Sequence, residues 1–137
     1  MKRYVFDTCA LVAFFNDEDG ADIVEDLLDE ASNGRCTIIM NKYNLLETYY
    51  GYFRDNGVDF AEKILSIVES SSIHVHDALT NALFRQAGKF KSMHKMSLAD
   101  AVALAQAFIE QAVLVTADHH ELDAVDEAGD VEFLWVR

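Results

Sequence analysis

Residues 97–118 read SLADAVALAQAFIEQAVLVTAD. Within them Leu98, Ala101, Val102, Ala105, Phe108, Ile109 and Ala112 recur at three- and four-residue intervals, the spacing of one helix face. The run VLVT at 113–116 then turns short, apolar and β-branched, as a strand covered on both faces does. A helix feeding directly into a buried strand is the unit of a parallel sheet. In such sheets ligands sit beyond the carboxyl ends of the strands, which draws attention to Asp118 just after VLVT.

The same alternation runs outward in both directions. Upstream, RYVF at 3–6, in the basic, then apolar, N-terminus, predicts a first strand ending at Asp7. Ile23, Val24, Leu27, Leu28 and Ala31 predict a helix over 21–31, and CTIIM a strand over 36–40. Leu45, Leu46, Tyr49, Tyr50 and Phe53 mark a second helix, and Phe60, Ile64, Ile67 and Val68 a third. A short strand follows at 73–76, then a helix over 79–90 weakened by Gly88 near its end. Downstream, 119–128 predict a short helix and VEFLWV at 131–136 a closing strand. The expected fold is a three-layer α/β/α sandwich around a central, mostly parallel sheet of about five strands.

Composition narrows the function classes. The chain of 137 residues suits one domain, 1–137, large enough for a real core. No apolar run approaches the roughly 20 residues of a membrane span. Asp7 interrupts the apolar N-terminal stretch and no small-residue cleavage site follows, so a secretory signal is set aside and the cytoplasm is expected. Cys9 and Cys36 have neither metal-ligand spacing nor a disulfide framework and read as small thiols. With 11 Lys and Arg against 24 Asp and Glu, the net charge is −13. Phosphate neutralisation alone therefore does not bring this chain to nucleic acid. Such binding needs bound cations or a local basic strip, and the negative field favours a basic protein partner.

Four acids stand at special places: Asp7 in YVFDTCALVAFF, Glu47 in NLLETYY, Asp100 in MSLADAVALA and Asp118 in LVTADHHEL. Each has an ordinary structural reading. Asp7 suits a turn cap and Glu47 a solvated helix face. Asp100 completes a capping-box-like Ser97–Asp100 pattern and favours the helix dipole, and Asp118 suits the cap of the last helix. The ordered set, however, closely resembles the PIN-domain family, and within it the VapC-type toxin ribonucleases of toxin–antitoxin pairs. The resemblance spans essentially the whole chain.

That resemblance implies a PIN-like fold and a ribonuclease in which Asp7, Glu47, Asp100 and Asp118 hold one or two Mg²⁺ or Mn²⁺ ions. It implies a supporting role for Thr116, two residues before the last Asp. Many relatives carry another Asp two residues after that last one. Here His120 stands there, and Glu121 is the nearest supporting carboxylate. The family also implies a homodimer, an RNA substrate and an antitoxin that lays a segment across the acid pocket, a role that suits a basic partner. Hard divalent cations prefer oxygen ligands, so carboxylates are the residue type this chemistry requires.

The stretch 85–95 holds four of the 11 basic residues. Lys89, Lys91 and Lys95 are the candidate RNA contacts, with Phe90 a stacking surface and Lys42 a lesser contact; a solvated loop is the alternative. His74 and His76, or His119 and His120, offer no tetrahedral zinc set. The aromatics at 49–53 read as core or subunit interface. Two other classes compete: a catalytically idle PIN-like protein-interaction module, and a magnesium phosphatase of the haloacid dehalogenase kind. The latter wants a second Asp at position 9, where Cys9 stands.

Overall fold

The computed structural model describes residues 1–137. Five parallel strands form one sheet in the order β3-β2-β1-β4-β5. They are β1 (Lys2–Phe6), β2 (Cys36–Asn41), β3 (Ile73–His76), β4 (Val113–Thr116) and β5 (Phe133–Trp135). Seven helices connect them: α1 (Thr8–Phe15), α2 (Ala21–Ser32), α3 (Lys42–Asn56), α4 (Val58–Ser70), α5 (Asn81–Met93), α6 (Leu98–Glu110) and α7 (His119–Ala128). None is long and apolar enough to cross a membrane.

Strand side chains alternate between two cores, as the period of a strand requires. Val5, Ile39 and Leu114 enter one core with α5, α6 and α7. Phe6, Ile38, Met40 and Val115 enter the other with α1, α2, α3 and α4. The result is the expected three layers. Leu114 is fully buried, and truncating such a residue to Ala costs about 2–5 kcal/mol.

Three elements differ from the sequence-based expectation. Residues 8–15 form a helix where periodicity predicts no element. TCALVAFF is apolar all round, so it has no periodicity to read, and Asp7 caps it. The last strand is confined to 133–135, and α5 starts only after the Thr80 cap and runs through Gly88 to Met93. The helix over 98–110 is present but is not half-solvated: every residue from Ala99 to Ala107 is buried, Gln106 included. Alanine at alternate positions there keeps the helix thin enough for the sheet on one side and α5 and α3 on the others to enclose it.

Candidate active site

The chain leaves β1 toward β2 and β3 on one side of the sheet and places β4 and β5 on the other. Strand order therefore switches between β1 and β4, and a crevice opens beyond their carboxyl ends. Asp7 is the first residue past β1, and Asp118 follows β4 by two. Both do cap helices. Asp7 Oδ1 accepts the Ala10 amide at 2.9 Å, and Asp118 Oδ1 accepts the Glu121 amide at 3.3 Å. Capping occupies one oxygen of Asp7; its Oδ2 is buried with no partner.

Ser97 caps α6 through its hydroxyl, which accepts the Asp100 amide at 3.2 Å. In a capping box the third residue reaches back to the cap's own amide. Here Glu121 of α7 does so instead, its Oε2 accepting the Ser97 amide at 3.0 Å. Asp100 is thereby released from capping. It turns into the crevice, where carboxylate oxygens of Asp100, Asp118 and Glu121 all lie within 4.8 Å of one another. Asp100 Oδ2 is buried and unpartnered, like Asp7 Oδ2.

Crowded, dry carboxylates resist ionisation. Burial pushes the Asp7 carboxyl up to about 7 against the opposing influence of the nearby Thr116 hydroxyl and the bond from the Ala10 amide, and the Asp118 and Glu47 charges add to the rise. Asp100 is also raised, by burial first and then by the neighbouring Glu121 and Asp118 carboxyls and the charge of Asp7. Glu121 is lowered, first by its neighbour Asp100. Thr116 is fully buried, and its Oγ1 accepts the Asp118 amide at 3.1 Å. Burial, then the charges of Asp7, Asp118, Asp100 and Glu47, raise the Cys9 thiol, so Cys9 borders the cluster and stays protonated.

Glu47 is half-buried on α3 and bears on Asp7 by charge, outside the tight trio. It lines an open cleft of about 280 Å³ between α1 and α3, with Thr8, Val12, Asn16, Gly51 and Arg54. Sequence reasoning passed over two buried asparagines, Asn41 at the end of β2 and Asn44 on α3. Asn41 caps α3 by accepting the Tyr43 amide at 2.8 Å and donates to Gln106 Oε1 at 3.2 Å. Asn44 donates to the Ala99 carbonyl at 2.9 Å. Neither sits in a charged pattern; only their position one to two turns before Glu47 hints at a role.

The basic stretch needs correction. Phe90 is 3% exposed and packs edge-on to Phe108 at 5.8 Å, so it offers no stacking surface. Lys91 donates to the Met96 carbonyl at 2.7 Å and braces the turn before Ser97, while Lys89 and Lys95 are exposed. His119 stacks on Trp135, with Nδ1 2.7 Å from Asp123 and Nε2 2.6 Å from the Arg137 carbonyl. Both ring nitrogens are thus engaged, and the Asp123 bond raises the ring's pKa.

A family model described as the PIN domain matches residues 4–128. The chain belongs to the PIN domain family. Solved structures share the fold at low identity. A DNA-bound VapBC from Salmonella typhimurium superposes with a TM-score of 0.76 at 14% identity, covering 100% of both chains. VapBC2 from Rickettsia felis, bound to a fragment of its promoter, gives 0.72 at 18%, covering 96% of this chain and 97% of that one. VapC20 from Mycobacterium tuberculosis, described as a sarcin–ricin loop cleaving toxin, gives 0.70 at 19%, covering 94% and 97%. No curated protein matches the sequence. In this PIN domain the acid-rich crevice fits a hard cation. Two buried carboxylate oxygens lack partners, and the trio beside them supplies only oxygen donors.

Proposed function

We propose that this PIN domain is a Mg²⁺- or Mn²⁺-dependent endoribonuclease, the toxin of a toxin–antitoxin pair. The observation that carries the reading is the pair of buried, unpartnered oxygens, Asp7 Oδ2 and Asp100 Oδ2, at the switch point of the sheet. Buried polar atoms without partners are rare and mark a place where something else binds.

Asp7, Asp100 and Asp118 hold the cation, with Glu47 on the cleft side and Glu121 supporting from α7. Such a cation supplies Lewis acidity toward a phosphodiester and acidifies water. The chain's own residues do the rest. Thr116 holds the Asp118 backbone in place, and the Ser97–Glu121 bond keeps Asp100 turned inward. Asp7 and Asp100, both raised, would have to ionise to hold the cation, which would couple metal affinity to pH. Lys89 and Lys95 meet the RNA backbone; Lys91 supports them from the turn.

The partner is a basic antitoxin drawn by the charge of −13. The protein works as a homodimer, with Tyr50 and Phe53 (50% and 46% exposed) available to an interface. Incubating the purified protein with transfer, messenger and ribosomal RNA in Mn²⁺, Mg²⁺ or chelator tests the reading. Cleavage that requires the cation and yields internal cuts supports it. Absence of cleavage in every RNA, with intact antitoxin binding, would instead indicate an idle interaction module.

A further inference from the structure

Asn44 lies fully buried one helical turn before Glu47. Its Nδ2 donates at 2.9 Å to the carbonyl of Ala99, the residue before Asp100. Its own backbone carbonyl accepts the hydroxyl of Thr8, the residue after Asp7, at 3.1 Å. The Thr48 hydroxyl reaches the same carbonyl, also at 3.1 Å. One residue thus touches the immediate neighbours of two candidate ligands and shares a helix with a third. Residue 44 thus meets α6 through its side chain and α1 through its backbone carbonyl.

The arrangement is costly, which argues for a purpose beyond packing. Asn44 Oδ1 is buried and unpartnered, and an isosteric leucine would remove that penalty while filling the same space. The tie is also directional. A carboxylate site requires its oxygens held within a few tenths of an ångström, and outer hydrogen bonds supply that precision. The second tie between α3 and α6, from Asn41 to Gln106, lies farther along the helix and does not reach the residues next to the acids.

We propose that Asn44 is the positioning residue that sets the spacing of Asp7, Glu47 and Asp100: its amide pins the first turn of α6 to α3, beside the Thr8 bond that ties the start of α1 to its backbone carbonyl. This rests on the reading of those acids as a cation site. Asn44 touches no substrate. Its loss loosens the geometry of the acids rather than the fold.

The test is Mn²⁺ affinity, followed by electron paramagnetic resonance or calorimetry, for the wild type, Asn44→Leu, Thr8→Val and Val24→Ala. Val24 is a fully buried α2 residue that makes no side-chain hydrogen bond to the acids, and it serves as the control for general destabilisation. Asn44→Leu should bind Mn²⁺ about tenfold or more weakly while keeping its circular dichroism and cooperative unfolding. Thr8→Val, which removes the other arm, should weaken binding to a smaller degree. Val24→Ala should lose melting temperature and keep its affinity. In RNA cleavage Asn44→Leu should lower kcat and leave KM near the wild-type value.

Wild-type affinity in Asn44→Leu, or equal losses in Asn44→Leu and Val24→Ala, would overturn the inference while leaving the cation site standing. If Asn44→Leu does not fold, Thr8→Val decides: unchanged Mn²⁺ affinity in it overturns the inference. A wild type that binds no Mn²⁺ overturns the cation site itself.

Discussion

Glu121 accepts the backbone amide of Ser97 at 3.0 Å and so completes, from α7, the cap of α6. A capping box is ordinarily local to one helix. Here it is split between two, and the acid at its third position, Asp100, is free to join Asp118 and Glu121. One carboxylate thereby performs a structural and an electrostatic task that two variants can separate. Glu121→Gln retains an oxygen acceptor for Ser97 and should melt near the wild type while binding Mn²⁺ more weakly. Glu121→Ala should weaken binding too, and also lose about 1 kcal/mol of stability. Equal melting temperatures for the two variants in thermal denaturation would show that the Ser97 bond contributes nothing.

Stability of the metal-free protein should depend on Asp7 ionisation. The folded-state pKa of about 7 lies above the ordinary 3.8. The favourable protonated state is therefore fully present below about pH 4 and lost as pH rises through about 7. Asp7→Asn keeps the Ala10 bond and cannot ionise. It should match the wild type near pH 4 in chelator and be the more stable protein above pH 7, by an amount on the order of 4 kcal/mol at most. Parallel stability curves from pH 4 to 8 would contradict the raised pKa.

Mn²⁺ binding should release protons. Asp7 and Asp100 both carry raised pKa values, so each must ionise before it can ligate. Calorimetric titrations at pH 7 in buffers of different ionisation enthalpy should give different apparent heats, with affinity rising from pH 6 to pH 8. Heats independent of the buffer would mean that the cation avoids these two acids.

The exposed lysines make a separate, weaker claim. Lys89→Ala combined with Lys95→Ala should raise KM for RNA, flatten its salt dependence by about two phosphate contacts' worth, and leave Mn²⁺ affinity unchanged. An unaltered salt slope would place the RNA on another face.

Periodicity made most of the fold legible, because Ile38, Met40 and the VLVT strand carry the plain pattern of buried parallel strands. It missed α1, whose apolar residues surround the helix, and it misread the solvation of α6, whose alanines permit enclosure on every side. The acids were legible through their order along the chain. Asp100 illustrates the limit: its neighbour Ser97 signalled a capping box, but the partner of that box, 24 residues away, is visible only in three dimensions. Phe90 failed as a stacking residue for the same reason, since α5 turns that side of its helix into the core. Asn44 and Asn41 were silent because neutral amides show their worth only through the carbonyls and amides they reach.

The central claim is that Asp7 and Asp100 hold a cation that cleaves RNA. Single-turnover cleavage of a susceptible RNA at pH 7.5 in Mn²⁺, compared for wild type, Asp7→Asn and Asp100→Asn, tests it most directly. The account predicts that each variant folds, binds Mn²⁺ poorly and cuts at least about a thousandfold more slowly. Wild-type cleavage rates in either folded variant would contradict it.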